Sequence, residues 1–320
     1  MSTLSTMRRH PELTPAAKPK RKRKRRGNRD NLVGYLFLSP WLLGFVFIIG
    51  GPVVASLWLS FTDYSILGSP QWIGTKNYEI MFTQDDRFWH SLTVTLVYLV
   101  VSVPLVQAFA LFLATMVNRG VRGLAIYRAI FYVPSLIGGS VAIAILWRFL
   151  FASDGLVNGA LRVLGIQSSY SWIGQPDTAL NTLIILNVWQ FGAAMIIYLA
   201  GLRQIPNEVQ EAAIVDGASP ARRFFSVTIP LLSPIIFFNV MMNMVGAFQA
   251  FNTAYIVSNG TGGPADSTLF YTLYLYQRGF VDFDMGYASA LGWVLLVIVG
   301  LAAAGLFALS RRVVYYGDER

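Results

Sequence analysis

Seven polar or aromatic side chains interrupt two long apolar stretches in the second half of this chain. Amide groups both donate and accept hydrogen bonds, so they can recognise a solute rich in hydroxyl groups. Asn239 and Asn243 are four residues apart and would share one face of a helix. For any one of these residues taken alone, an interhelical hydrogen bond is an equally good interpretation. The candidates for contact with a crossing solute are Asn187, Trp189, Gln190, Asn239, Asn243, Gln249 and Asn252.

The sequence gives little support for other kinds of functional site. The chain has no cysteine, which excludes disulfides, thiol catalysis and cysteine-ligated metals. Its two histidines, His10 and His90, lie in a charged tail and at an expected membrane edge. No G-x-x-x-x-G-K-[ST] motif is present, so the chain lacks a phosphate-binding loop of that type. We therefore predict no catalytic residues, no metal and no cofactor, and no ATP hydrolysis by this chain alone.

Composition indicates the elements that must position these side chains. Of the 320 residues, 55% are hydrophobic and 13% charged, whereas about 25% are charged in soluble domains. Six stretches lack Asp, Glu, Lys and Arg and can each supply the roughly 20 apolar residues of a membrane-crossing helix. The fold class predicted is an all-α membrane protein with six transmembrane helices. The expected spans are 33–61, 90–117, 128–150, 179–202, 231–257 and 285–310.

The distribution of basic residues predicts orientation and domain limits. Eleven of the 25 Lys and Arg residues fall in the first 29 positions, and 20 lie on one side if six spans alternate. The positive-inside rule then places both termini in the cytoplasm of a multi-pass protein in the inner or plasma membrane. We expect residues 1–31 to be a disordered basic arm, 32–312 the transmembrane domain and 313–320 a tail. The arm is expected to touch anionic lipid rather than nucleic acid.

The polar stretch between the fourth and fifth spans predicts a short helix. Pro206 suits a first helical turn, and Gly217 stands where the helix should stop. Ser219 and Pro220 suit the start of a second short helix, and Pro230 and Pro234 should mark entry to the fifth span. The first helix could lie on a membrane surface or dock to a protein. Its lack of Trp and Leu favours protein contact. One face would carry Val209, Ala212, Ala213 and Asp216.

The same stretch, "EAAIVDGASPARRFFSVTIPLL", resembles the EAA motif of permease subunits from binding-protein-dependent ABC importers. The ending Val227-x-Ile229-Pro230 departs conservatively from that pattern. The resemblance implies a coupling helix that docks into a cleft of an ATPase subunit. The residues to which this role is carried over are Glu211, Ala212, Ala213, Asp216 and Gly217.

The likeness extends over most of the chain. "GYLFLSPWLLGFVFIIGGPVVASLWLSFTDY", "NGTGGPADST" and "GFVDFDMGYASA" look like the carbohydrate-uptake branch, similar to maltose and glycerol-phosphate permeases. The resemblance implies the ABC-importer permease fold and a heterodimer with a second permease. It also implies two ATPase subunits that bind the ATP, and an extracytoplasmic solute-binding protein.

Alternatives remain at this point. An ion-coupled secondary transporter without an ATPase partner is one, although the expected spans hold no Asp or Glu for a proton relay. A membrane-embedded scaffold is another. The sequence names neither the solute nor the subunit that contacts it, and it leaves a homodimer open.

Overall fold

The computed structural model describes residues 28–118, 123–167 and 170–315, and the side chains of 28–33, 124 and 125 are excluded. Most of the predicted basic arm and the last five residues of the predicted tail lie outside this range. The described part is mostly helical. It belongs to two compact units, with residues 28–53 in the first and everything from Val54 onward in the second.

The helices are given in chain order. They are α1 (Asn28–Gly44), α2 (Gly51–Leu59), α3 (Lys76–Thr83), α4 (Asp86–Asn118), α5 (Leu124–Ile137), α6 (Val141–Leu150), α7 (Leu156–Val163), α8 (Pro176–Trp189), α9 (Gly192–Leu202), α10 (Asn207–Val215), α11 (Pro220–Arg223), α12 (Ile229–Phe248), α13 (Asn252–Val257), α14 (Tyr271–Tyr276) and α15 (Met285–Val313). Strands β1 (Thr62–Asp63) and β2 (Gln71–Trp72) pair antiparallel. Wider π-helical turns occupy Phe45–Gly50, Phe224–Thr228 and Gln277–Val281, and a 3₁₀ turn occupies Pro264–Asp266.

Four continuous helices and two bent helix pairs are long and apolar enough to cross a membrane. The described residues therefore contain between four and six candidate spans, and six only if each bent pair counts as one. In the third expected span, Ile126–Ile137 and Val141–Leu150 are bent by 96°, and in the fourth, Pro176–Trp189 and Gly192–Leu202 by 40°. The continuous candidates are Gly34–Leu59, Asp86–Asn118, Pro220–Phe248 and Met285–Val313.

The fifth expected span differs from the prediction at both ends. The short helix expected to begin at Pro220 is not separate, because it continues through Phe224–Thr228 into α12. Pro230 has no N–H to bond the carbonyl four residues earlier, and the turn before it widens into a π segment. At the other end the helix stops at Phe248 and restarts at Asn252. The Thr272 hydroxyl bonds the Ala250 carbonyl (2.5 Å) at this break, replacing a helical partner.

Helix α4 organises the core of the second unit. One half of α4 packs with α8, α14 and α15 in a cluster that includes Phe88, Tyr271 and Leu291. Its other half packs with α9 and α12 around Tyr198 and Leu232. Each half of α4 thereby packs in one of the two core clusters. Many large apolar side chains remain on the exterior of the described chain. Such an exterior suits lipid or a further subunit better than water.

Candidate functional site: an asparagine-lined cavity and an exposed helix

A cavity of about 440 Å³ opens between the α8–α9 pair and α12. Three of the predicted solute-path residues line it together. Asn187 comes from the last turn of α8, just before the bend, and Asn239 and Asn243 come from adjacent turns of α12. Ala193 and Gly246 leave room between the two walls because their side chains are small or absent. The cavity thus combines amide groups with an otherwise mostly apolar lining.

Asn239 is the most buried of these asparagines, with 3% of its surface exposed. Its Nδ2 lies near the Tyr198 phenol but makes no hydrogen bond of normal geometry within the described chain. Gln107 donates from Nε2 to the backbone carbonyl of Asn239 (3.3 Å) and accepts from the Tyr198 hydroxyl. A buried donor without a partner costs about 1–3 kcal/mol. A hydroxyl group entering the cavity could satisfy that donor.

The other four predicted solute-path residues do not line this cavity. The ring of Trp189 lies 6.0 Å from that of Trp147. Gln190 donates from its side-chain Nε2 to the Leu186 carbonyl one turn earlier (3.3 Å), and its backbone carbonyl accepts from the Ser135 hydroxyl (2.7 Å). The Gln190 side chain therefore bonds within its own helical segment, and the bond to Ser135 uses only its backbone. The remaining two, exposed at the break after α12, are Gln249 and Asn252.

The cavity also holds residues that sequence reasoning missed. Tyr98 of α4 lines it, and Gln107 supports Asn239 from behind. Gln107 stands in an apolar stretch, as the seven candidates do, so the same reasoning about amide groups in membrane helices applies to it. Tyr98 carried no such signal, because tyrosine is common in membrane helices.

The motif residues lie on or directly after α10. This helix begins after Pro206, and Gly217 follows it with φ of +74°, as the predicted start and stop require. Ser219 then caps α11 by accepting the Arg222 N–H (3.3 Å). No residue of α10 is buried, and Ile214 and Val215 beyond the motif alanines are 54% and 87% exposed. The helix therefore presents motif and apolar side chains that the described chain leaves uncovered.

One side-chain hydrogen bond ties α10 to the fifth span. Gln210 Nε2 donates to the Thr228 hydroxyl (3.2 Å). Glu211 and Asp216 are exposed, and neither forms an ion pair with another described residue. Both carboxylates are thus available to a partner.

A further polar cluster joins the start of α4 to α14 and α15. Asp85 accepts hydrogen bonds from the hydroxyls of Tyr274 and Tyr287 and from the Phe88 N–H (3.0 Å). Arg278 pairs with Asp284 (2.8 Å) and lies over the Tyr287 ring, 4.7 Å from its centroid. These groups are scattered along the sequence, so no local pattern indicated the cluster.

Burial raises the pKa of the Asp284 carboxyl above its ordinary value. The bond from the Tyr287 N–H and the charge of Arg278 oppose that rise. Asp284 also accepts the Tyr287 N–H (3.1 Å) at the N-terminus of α15, so one carboxylate serves as helix cap and ion-pair partner.

Residues 108–315 match the model of a family described as binding-protein-dependent transport system inner membrane component. Among curated proteins, the chain is 52% identical to the "Probable ABC transporter permease protein YesP" of Bacillus subtilis, covering 93% of this chain and 96% of that protein. It is 34% identical to the lactose transport system permease protein LacF of Rhizobium radiobacter, covering 87% and 94%. It is 31% identical to the trehalose/maltose transport system permease protein MalF of Thermococcus litoralis, covering 85% and 91%.

The fold is shared with a solved structure. A chain of a bacterial alginate ABC transporter, solved in complex with an alginate pentasaccharide-bound periplasmic protein, superposes with a TM-score of 0.77. The two chains are 23% identical, and the match covers 91% of this chain and 98% of that one.

Proposed function

This chain belongs to the family of binding-protein-dependent transport system inner membrane components, and from that premise we propose that it is the permease subunit of an ATP-driven importer for a sugar or sugar-like solute. Relatives are named for lactose, sn-glycerol-3-phosphate and trehalose/maltose transport. Those solutes differ in size and charge but are all rich in hydroxyl groups. The amide-lined cavity suits that shared chemistry.

The observation that carries the proposal is the uncovered motif helix α10. Its motif residues coincide with a helix that starts and stops where the sequence predicts, and none of its side chains is buried. Exposed apolar residues on a short rigid helix favour a protein partner. We propose that this partner is an ATPase subunit. The contact would be made by Glu211, Ala212, Ala213, Asp216 and Gly217.

The membrane arrangement that fits this role has six spans, with each bent pair crossing once. The excess of Lys and Arg on one side supports a cytoplasmic location for both termini and for α10. Helix α10 would then face the compartment in which ATP is available.

The solute path would run through the asparagine-lined cavity. Asn187, Asn239 and Asn243 are the residues best placed to contact the solute. Closure of the ATPase subunits would press on α10, and the Gln210–Thr228 bond would pass that displacement to the fifth span. ATP binding can drive this change only if it favours one state of the bundle over the other.

The proposed assembly contains a second permease, two ATPase subunits and an extracytoplasmic solute-binding protein. Binding-protein dependence is part of the family description itself. ATP would be bound by the ATPase subunits, so this chain needs no cofactor of its own. Surrounding lipid would cover the apolar exterior that a second permease leaves free.

A pull-down from detergent-solubilised membranes tests the proposal. The tagged chain should retain an ATPase subunit, and Glu211→Lys should lose it because the reversed charge opposes the motif contact. Glu208→Lys is the matched control, since Glu208 is exposed on the same helix but outside the motif. If neither the native chain nor the control retains an ATPase, the importer proposal fails. Ion-coupled uptake would then be the activity to assay.

A further inference from the structure

A second cavity, of about 410 Å³, lies where α10 approaches the ends of α4 and α9 and the start of α11. Its wall is largely polar. Helices α4 and α10 and the π turn Phe224–Thr228 contribute amides and hydroxyls, so the cavity is a junction between the membrane-crossing bundle and the motif helix. Its polar lining consists of Thr115, Asn118, Asn207, Gln210, Arg223 and Thr228.

Arg223 is the only charged residue among the described residues that line this cavity. Its Nε is buried and makes no hydrogen bond, and no ion pair joins it to any described acidic group. The Arg223 residue as a whole is partly exposed, so its charge remains accessible to an anion that enters the cavity. A guanidinium matches the oxygens of a phosphate or carboxylate in geometry. The cavity therefore suits an anionic group.

An apolar groove of about 650 Å³ continues from this cavity. The two share Thr115, Pro220 and Phe224 in their walls. Along the groove, Phe112 and Met116 of α4 face Phe225 of the π turn, and all three side chains are half to two-thirds exposed. The combined site has a cationic, hydrogen-bonding end and a long apolar end.

We propose that this combined site binds one anionic phospholipid. Its phosphate would lie against Arg223, its polar headgroup against Asn118 and Asn207, and an acyl chain along Phe112, Met116 and Phe225. A free phosphate ion would use the cationic end but not the apolar groove. The site also lies at the ends of membrane-crossing helices, where basic pockets between helices meet lipid headgroups.

A lipid held there would contact the motif helix directly. Asn207 and Gln210 belong to α10, whereas Asn118 belongs to α4 and Arg223 to α11. One headgroup would therefore link α10 to two membrane-crossing helices. This inference rests on the cavity and on Arg223, and it holds whether or not an ATPase docks on α10.

Native mass spectrometry of the full-length chain, purified from membranes and delipidated, tests the proposal. Phosphatidylglycerol, phosphatidylcholine and inorganic phosphate are added in separate titrations. We expect retention of one phosphatidylglycerol, little retention of phosphatidylcholine and no displacement of the bound lipid by equimolar phosphate. Arg223→Gln should weaken phosphatidylglycerol retention roughly fivefold. Arg222→Gln removes the exposed neighbouring charge and should change retention less than about twofold.

A second variant tests the apolar end. Ala221 is exposed and lines only the groove, so Ala221→Trp should obstruct an acyl chain and weaken phosphatidylglycerol retention without altering Arg223. Equal retention by the native chain and Arg223→Gln would overturn the proposal, as would equal retention of both lipids. Phosphate binding that depends on Arg223, without preference for phosphatidylglycerol, would show a free-anion site and also overturn it. A co-purifying protein that occupies the groove and excludes phosphatidylglycerol would also overturn the proposal.

Discussion

Gln210 of α10 donates a hydrogen bond to the Thr228 hydroxyl (3.2 Å), and this bond ties the exposed motif helix to the long helix that passes the asparagine-lined cavity. Helix α10 is therefore connected to the asparagine-lined cavity through α12, because Thr228 directly precedes α12 and α12 carries Asn239 and Asn243. The residues are 18 positions apart in sequence; Gln210 directly precedes the EAA motif, and Thr228 is the unspecified position in its Val227-x-Ile229-Pro230 ending. The bond gives a direct route between the proposed docking surface and the proposed solute path.

Breaking this bond should reduce coupling. A bond of this kind contributes about 0.5–1.5 kcal/mol, so Gln210→Ala should lower solute uptake per ATP hydrolysed by about two- to tenfold. The measurement is the ratio of uptake to hydrolysis in the reconstituted complex. Thr228→Val should have a similar effect, and the double variant should add little to either single variant. Gln204→Ala, at an exposed glutamine just before α10, is the control. An equal loss of coupling in this control would show that the Gln210–Thr228 bond has no special role.

Gly217 should tolerate Asn but not Val. Its φ of +74° disfavours a β-branched residue, while an added Cβ would meet no heavy atom of the described residues within 4 Å. The cost is therefore backbone strain of about 1–2 kcal/mol rather than an internal clash. Gly217→Val should uncouple ATP hydrolysis from uptake at normal membrane levels, and Gly217→Asn should retain most uptake because Asn adopts this conformation more readily. Full uptake by the Val variant would contradict the docking role.

Asn239 should serve solute recognition at some expense in stability. Asn239→Leu removes a buried Nδ2 that has no hydrogen bond of normal geometry among the described residues, so the free energy of unfolding in detergent should stay the same or rise by about 1–3 kcal/mol. Uptake should nevertheless fall about tenfold or more, because a hydrogen bond to a solute hydroxyl is lost. Asn243→Ala should shift the preference among sugars.

Asn181→Ala provides the matched control for the cavity, since this asparagine is exposed on α8 and does not line the cavity. Transport rates and solute selectivity are compared in the same folded complex. Unchanged selectivity in both cavity variants would rule out a direct role for these asparagines in recognition.

Asp85 should stabilise the fold far more than its neighbour Asp86. Asp85→Ala removes the acceptor for two tyrosine hydroxyls and for the Phe88 N–H. Lost capping and unsatisfied hydroxyls together predict destabilisation of about 2–4 kcal/mol. Asp86→Ala alters an exposed carboxylate in the same helical turn and should cost less than about 1 kcal/mol. Thermal unfolding of both variants in one detergent provides the comparison, and equal midpoints would contradict the prediction.

Asp284 should make the protein more stable in mild acid. Burial raises the pKa of this carboxyl above its ordinary value of 3.8. The folded state therefore holds the proton more tightly than the unfolded state. The contribution of Asp284 to the free energy of unfolding should therefore fall as pH rises from about 4 through the raised pKa.

Asp284→Asn keeps an acceptor at the start of α15 but cannot ionise. The difference in unfolding free energy between native chain and variant should therefore change with pH across that interval. The measurement is thermal unfolding of both proteins over a pH series. A constant difference would show that Asp284 titrates equally in both states.

The helical membrane class and the limits of α10 could be predicted because their causes are local. A charge within the bilayer is costly wherever it occurs, so charge-free stretches indicate membrane-crossing helices. Pro206 and Gly217 act on their own backbone, and α10 lies between them as expected. The bends in the third and fourth candidate spans were not predicted, because the segments on both sides of each break are apolar and a charge-free stretch does not show where its helix bends.

The solute-path candidates show the limit of a local pattern. Asn239 and Asn243 share a face because one helix carries both, but Asn187 joins them only through the packing of α8 and α9 against α12. Trp189 and Gln190 are close to Asn187 in sequence, but their side chains contact the Trp147 ring and the Leu186 carbonyl instead. Whether those two, Gln249 or Asn252 contact a solute remains a prediction.

By itself, the sequence determined that this is an apolar helical protein of the transport family, and it located the motif helix between its start and stop signals. Only the tertiary structure decided that Asn187 lies beside Asn239 and Asn243 and that Asp85 joins Tyr274 to Tyr287. It also decided that Arg223 forms no ion pair with another described residue. The physical reason is the range of the interactions. Helix limits and membrane preference follow from neighbouring residues. Each of these tertiary contacts instead depends on the packing of helices that are far apart in the sequence.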